Sequence, residues 1–296
     1  VKNNLTHQNE TTQPITDIIR QRFSCRSYLE EPIPAEKRRQ LQDFIGALPN
    51  GPFGSRPSFF LVAADREDSH ALKDLGTYGF IRGATGFIIG ITDTGEKNLE
   101  DYGYQMEQII LEATRLGLGT CWLGGSFTRS SFARKINAAN DALIPAVTSI
   151  GEIANVTEAR NGLLRRQINA DQRLPWEQLF FDQNFAAPLT RQTAGEYVIP
   201  LEMLRIGPSA SNKQPWRVLK DGHRWHFYLQ RTKGYRENSL TRFLGVADMQ
   251  RLDLGIAMCH FELTIRELGL PGKWLSAEPA IVKPDELTEY TVSWAE

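Results

Sequence analysis

The chain has 296 residues, 41% of them hydrophobic and 23% charged, with a formal net charge of −1. Such a length supports one large core or two ordinary ones, and the near-neutral charge offers no basic field to draw in a nucleic-acid backbone or an anionic membrane. No apolar run approaches the roughly 20 residues of a membrane span, the N-terminus is polar rather than a secretory signal, and Cys25, Cys121 and Cys259 form no C-x-x-C pair. The expectation is therefore a cytoplasmic, reducing setting without a disulfide framework or a zinc cluster.

In chain order, Val1 to Gln13 is rich in Asn, Gln and Thr and reads as a mobile tail. Pro14 and Ile15, with Asp17-Ile18-Ile19, open a short helix ending near Arg22. Pro34 suits the first turn of the next helix, whose apolar face is Leu41, Phe44, Ile45 and Leu48. Ser58 to Ala64 is a strand, and the continuous apolar run Gly86 to Ile91 is a second, central one. A long helix follows, with Tyr102, Met106, Ile109, Ile110, Ala113 and Leu116 near helical spacing and Gly117 and Gly119 available for its closing turn. Cys121 to Leu123 reads as a strand leading into Gly124-Gly125, Ser131 to Asn137 as a short helix, and Ala146 to Ile153 as a strand.

Glu158 to Arg173 is polar, Arg-rich and without hydrophobic period, which makes it the linker candidate. Pro175 to Phe181 starts a helical segment. Beyond Pro188 come a helix around Ile199 to Arg205 and a hairpin in which Asp221-Gly222 joins Trp216 to Lys220 with Trp225 to Gln230. A second long helix and a final strand from Tyr290 to Trp294 complete the chain. Strands and helices mix without strict β-α-β alternation, so the expected class is α+β.

One stretch is written twice. Asp101 to Trp122 and Asp253 to Trp274 both run D-x-G, an amphipathic segment, L-G-L and then Trp, at the same spacing and without a gap. The pairs Gly103/Gly255, Leu116/Leu268, Gly117/Gly269 and Leu118/Leu270 share one offset. A repeat of this length implies two related units facing each other. The expected boundaries are a tail over 1–13, a first half over 14–185 and a shorter second half over 186–296.

The motifs around the two copies are unequal. Only the first half has R-F-S-C-R-S-Y, from Arg22 to Tyr28. In an extended segment Arg22, Ser24 and Arg26 point the same way and can converge on an oxygen-rich anion, with bidentate arginine bonds to phosphate. Solvated surface charge is the alternative for those residues alone. Only the second half has P-S-A-S-N-K-Q-P-W, from Pro208 to Trp216. Its small residues between prolines make a stiff loop that a ligand can approach, and Asn212 and Gln214 offer both donors and acceptors. A turn before a strand is the bland alternative.

With R-x-S-x-R near the start, P-S-x-x-N-x-Q-P-W before a strand and L-G-L-x-x-x-W-x-x-G after a long helix, the chain resembles the FMN-dependent nitroreductase family. More closely, it resembles a subgroup in which two halves are fused as a single-chain pseudo-dimer. The resemblance implies a nitroreductase-like fold of two related halves and a flavin held between them. It also implies reduction by NAD(P)H and transfer to a nitroaromatic, quinone or similar small acceptor in a ping-pong cycle. A flavin-binding storage or sensing protein without turnover, or another flavin reaction on the same fold, is the alternative.

By that resemblance Arg22, Ser24 and Arg26 bind the phosphate and ribityl or pyrimidine side of FMN, and Ser209, Ser211 and Asn212 contact it from the opposite half. Trp122, Leu123, Gly124 and Gly125 match the stretch that lies along the flavin ring, and Arg173 matches a late phosphate-binding arginine, although Asp171 stands where the family has a second basic residue. Laying Pro215-Trp216 on Pro57-Ser58 puts Gly54 under Asn212 and Arg56 under Gln214, so the first-half loop has lost the flavin-facing side chains. The second half has no R-x-S-x-R. One complete site per chain, and a monomer, are the expectations. No His, Cys or Asp stands out as a protein-derived acid or base, and His223 and His226 lack a third ligand for a metal.

Overall fold

The computed structural model describes residues 13–65, 72, 75–139, 142–157, 172–235 and 247–296. The expected tail and linker lie outside these residues except at Gln13, Gln172 and Arg173, and Asp171 lies outside them as well.

The first set of elements is α1 (Ile15–Gln21), α2 (Ala35–Gly46), β1 (Ser58–Ala63), β2 (Gly86–Ile91), α3 (Asn98–Arg115), β3 (Leu118–Leu123), α4 (Arg129–Lys135) and β4 (Val147–Glu152). Its four strands form an antiparallel sheet in the order β1-β2-β4-β3. The second set is α5 (Trp176–Leu179), β5 (Phe180–Asp182), β6 (Asn184–Pro188), α6 (Arg191–Ala194), α7 (Val198–Arg205), β7 (Trp216–Asp221), β8 (Arg224–Gln230), α8 (Met249–Glu267), β9 (Lys273–Leu275) and β10 (Thr288–Ala295). Its sheet runs β6-β5-β7-β8-β10-β9.

Within the second sheet, β7-β8-β10-β9 repeats the antiparallel order of the first, with α8 placed between β8 and β9 as α3 is between β2 and β3. Both helices end in a glycine at positive φ, Gly117 at 75° and Gly269 at 68°, the left-handed turn that a glycine adopts without a Cβ penalty. The strand that follows the 208–216 loop starts at Trp216, and the one that follows the 51–57 loop starts at Ser58, as the superposition of the two loops requires.

The two central helices pack on each other, and their approach is reciprocal. A Cβ at Gly103 would overlap the Leu252 carbonyl of α8, and one at Gly255 would overlap the Glu100 carbonyl of α3. Both helices are buried along nearly their whole length, so neither shows the polar face of an ordinary surface helix. On one side, Tyr102 of α3 donates to the Ala146 carbonyl at 2.5 Å and joins a core with Leu41, Ile88 and Ile150. On the other, Phe261 of α8 packs edge-on against Phe227 and Trp294, in an aromatic cluster that also holds Trp274, Trp225 and Tyr197.

Three local expectations are corrected. The segment expected to be helical through Phe181 leaves the helix at Leu179, because Phe180 and Phe181 pair with Val218 and Leu219 as β5, parallel to β7. Sheet pairing overrides the local preference there. Gly119 is not part of the turn after α3; it lies in β3 opposite Gly151, pressed against Cys25. The strand expected from Cys121 accordingly begins at Leu118. Short strands β6 and β9 escape the sequence pattern altogether.

Candidate functional site

A cavity of about 530 Å³ opens between the two sets of elements. It lies within the ordinary range of small-molecule and cofactor pockets, roughly 300–1,000 Å³.

One wall is the extended chain after α1. Cys25 N–H donates to the Thr120 carbonyl at 2.8 Å, and Arg82 N–H donates to the Arg26 carbonyl at 2.9 Å, so the segment runs as a strand-like ribbon beside β3. The alternation expected of such a ribbon holds from Ser24 to Arg26 only, since Phe23 lines the cavity as well. Cys25 is fully buried against Gly119, whereas Arg22, Ser24 and Arg26 all line the cavity. Arg22 is anchored from behind: its Nε lies 3.6 Å from the buried Glu107 carboxylate of α3. Trp122, which also lines the cavity, donates from Nε1 to the other Glu107 oxygen at 2.8 Å.

The floor includes Gly124 and Gly125. A Cβ at Gly124 would meet the thioether end of Met249 of α8, which would have to swing aside, and Gly125 faces open space. Leu123 is the one expected site residue that does not line the cavity. Its side chain is buried with Phe87, Phe127 and Phe132 on the far side of the sheet.

The opposite wall is the 208–214 loop. A short 3-10 turn over Ala210–Asn212 has Ser211 and Asn212 in the left-handed region, at φ 50° and 55°. Gly54, aligned with Asn212, is also at positive φ, 90°. Here Asn212 has kept a side chain in a conformation that Asn tolerates better than most residues. Ser209 Oγ accepts the Gln214 N–H at 2.8 Å, and Asn212 donates to the Gln172 carbonyl at 2.9 Å. Arg173 reaches the loop from outside, donating to Asn212 Oδ1 at 3.3 Å and to the Ile206 carbonyl at 2.9 Å. Ser209, Ser211, Asn212 and Arg173 all line the cavity.

Sequence reasoning missed Tyr235, Met249, Leu252, Asp253 and Ile256, which complete the wall. The last four lie at the start of α8, spaced like one helical face, and that periodicity was the available signal. Tyr235 accepts the Met249 N–H at 3.0 Å, and burial pushes its phenol up to about 12.

The family model described as "Putative TM nitroreductase" matches residues 14–265. A Thermotoga maritima protein described as a putative nitroreductase is 19% identical, with 99% of each chain covered and a TM-score of 0.61. A nitroreductase family protein from Clostridium difficile is 17% identical over 54% of this chain and 92% of its own, with a TM-score of 0.40. A Desulfovibrio desulfuricans protein described as a putative nitroreductase in complex with FMN is 24% identical over 49% of this chain and 90% of its own, with a TM-score of 0.39. No curated protein matches the chain. Because the family match runs through both sets of elements, and the Thermotoga protein shares the fold from end to end, this chain belongs to the nitroreductase family.

Proposed function

We propose that the chain is an FMN-dependent oxidoreductase, an internally duplicated monomer with one flavin between its halves. In this reading it takes reducing equivalents from NAD(P)H and delivers them to a nitroaromatic, quinone or related small acceptor in a ping-pong cycle. The observation that carries the proposal is that the R-x-S-x-R ribbon and the P-S-A-S-N loop, each present in one half only, face a single cavity.

The residues fit the group. Arg20, Arg22, Arg26 and Arg173 bring four cations to the cavity, and Arg26 Nη1 is buried without a hydrogen-bond partner among the described residues. Such an atom is costly unless a ligand oxygen meets it. Ile19, Phe23, Met249, Leu252 and Ile256 supply apolar surface for a flat ring system. Bound FMN would supply the hydride and electron chemistry. The chain's part is to hold it. Glu107 fixes Arg22 and Trp122 from beneath, Gly125 leaves room for its backbone to approach the ring, and the apolar face of α8 excludes water.

The test is a flavin titration of the flavin-free protein followed by anaerobic mixing with NADH or NADPH. Saturation at one FMN per chain and loss of flavin absorbance within seconds support the proposal. Saturation near two overturns the single site. Persistent oxidised flavin with both donors favours a storage or sensing protein.

A further inference from the structure

The aspartates that open the two repeats, Asp101 and Asp253, do the same job unequally. Each reaches from its central helix to the loop preceding the equivalent strand. Asp101 is saturated: one oxygen accepts the Phe53 N–H at 2.9 Å and the other the Ser55 N–H at 2.8 Å. Asp253 accepts the Ala210 N–H at 3.0 Å with Oδ1, while Oδ2 is buried and has no hydrogen-bond partner among the described residues. Asp253 lines the cavity and is 2% exposed.

We propose that Asp253 is a ligand-binding residue of the cavity, presenting Oδ2–H as a hydrogen-bond donor to an uncharged acceptor such as a carbonyl oxygen or ring nitrogen. This rests on the cavity being the cofactor site.

The charges around it favour the neutral acid. The loop from Pro208 to Asn212 carries no charge. Tyr235, from the segment before α8, is a phenol held in its neutral form by burial. Asp248, at the N-cap of the same helix, repels an ionised Asp253. Glu100 of α3 is occupied by Arg251, and Arg231 is occupied by Asp248 and Glu289. Arg20, Arg22, Arg26 and Arg173 line the same cavity, but the charged group that acts on Asp253 is Asp248. Burial accordingly raises the Asp253 carboxyl well above the usual range. A neutral carboxyl can accept from Ala210 and donate from Oδ2 at once, whereas a carboxylate can only accept. The pattern is that of a buried acid kept protonated so that it can donate.

Asp253→Asn preserves both functions, because its amide oxygen accepts and its NH2 donates. Asp253→Ala removes both. In flavin-free protein, infrared spectra should show a carboxylic acid C=O band at neutral pH that disappears in Asp253→Asn, and the variant should melt higher than wild type as pH rises from 5 to 8. The sign follows from the raised folded value: protonation stabilises the native state below it, and that contribution is lost as pH rises. In FMN titrations Asp253→Asn should stay within about 2-fold of wild type, and Asp253→Ala should bind about 2- to 10-fold more weakly, the loss of one neutral hydrogen bond. Absence of the band, or an Asn variant as weak as Ala, overturns the proposal. If wild type takes up no FMN, the functional reading fails, and the infrared band alone decides the state of Asp253.

Discussion

Glu107 of α3 and His260 of α8 meet at 3.0 Å with both side chains wholly buried, so this contact joins the two central helices through a carboxylate that also reaches Arg22 and Trp122 of the cavity wall. The other ring nitrogen of His260 bonds the Met203 carbonyl at 2.9 Å, so the imidazole is fixed at both ends. Removing one partner leaves the other buried and uncompensated, at a cost of roughly 3–5 kcal/mol. Glu107→Ala should therefore lower stability by about that much in urea denaturation. Glu107→Gln should retain more of the fold, yet free Arg22 and Trp122 and weaken FMN in the same titration. An unchanged flavin affinity in a folded Glu107→Gln variant would separate the buried cluster from the site.

The crossing of α3 and α8 allows no side chain at Gly103 or Gly255, since each position abuts the partner's backbone. Gly103→Ala and Gly255→Ala should each cost about 1–3 kcal/mol by overpacking. Because the contact is reciprocal, the two losses should be similar. A neutral result at either position in chemical denaturation would show that the helices can slide apart.

The two loops should respond unequally to substitution. Ser209→Ala and Asn212→Ala should weaken FMN by about 0.5–1.5 kcal/mol for each lost hydrogen bond. Gly54→Ala should leave affinity unchanged and act only through strain at φ 90°. Asn212 also ties the loop to Gln172 and Arg173, so its loss should lower the melting temperature as well. Lower stability with an unchanged dissociation constant would make the loop a stiff turn and nothing more.

Burial holds His226 below its ordinary value, with Nδ1 2.6 Å from Ser293 Oγ. The native ring stays neutral where the unfolded ring takes a proton, so its contribution is intact above about pH 6.5 and is lost as pH falls through that value. Thermal melts between pH 7.5 and 5 should show falling stability, and His226→Gln should flatten part of that slope. Parallel slopes in the two proteins would remove His226 as a cause.

The repeat, the central helices and the cavity's two unequal motifs were legible in the sequence because each is written as residue identity at fixed spacing. Gly103 and Gly255 stood at matching positions, and their role needed only the idea that two copies face each other. Phe180 and Phe181 were misread because their conformation is set by β7, some 38 residues further on, which no local pattern shows. Asp253 was visible as a repeat landmark but silent as a site residue. Its difference from Asp101 lies in how many loop amides reach it, and that is decided by the backbone of the 208–214 turn. The Leu123 side chain packs with Phe87, Phe127 and Phe132, away from the cavity, because side chains alternate along β3.

The chain holds six tryptophans, and only Trp122 stands outside the second sheet and the helix leading into it. Trp216 and Trp225 are fully buried there, and Trp274 and Trp294 stack edge-on at 5.0 Å. Intrinsic emission is therefore a lopsided gauge. A fluorescence melt follows the C-terminal layer and leaves loss of the N-terminal sheet almost dark, so circular dichroism has to accompany it. In a protein reduced to Trp122 alone, the same signal would become a local optical probe of whatever enters the cavity.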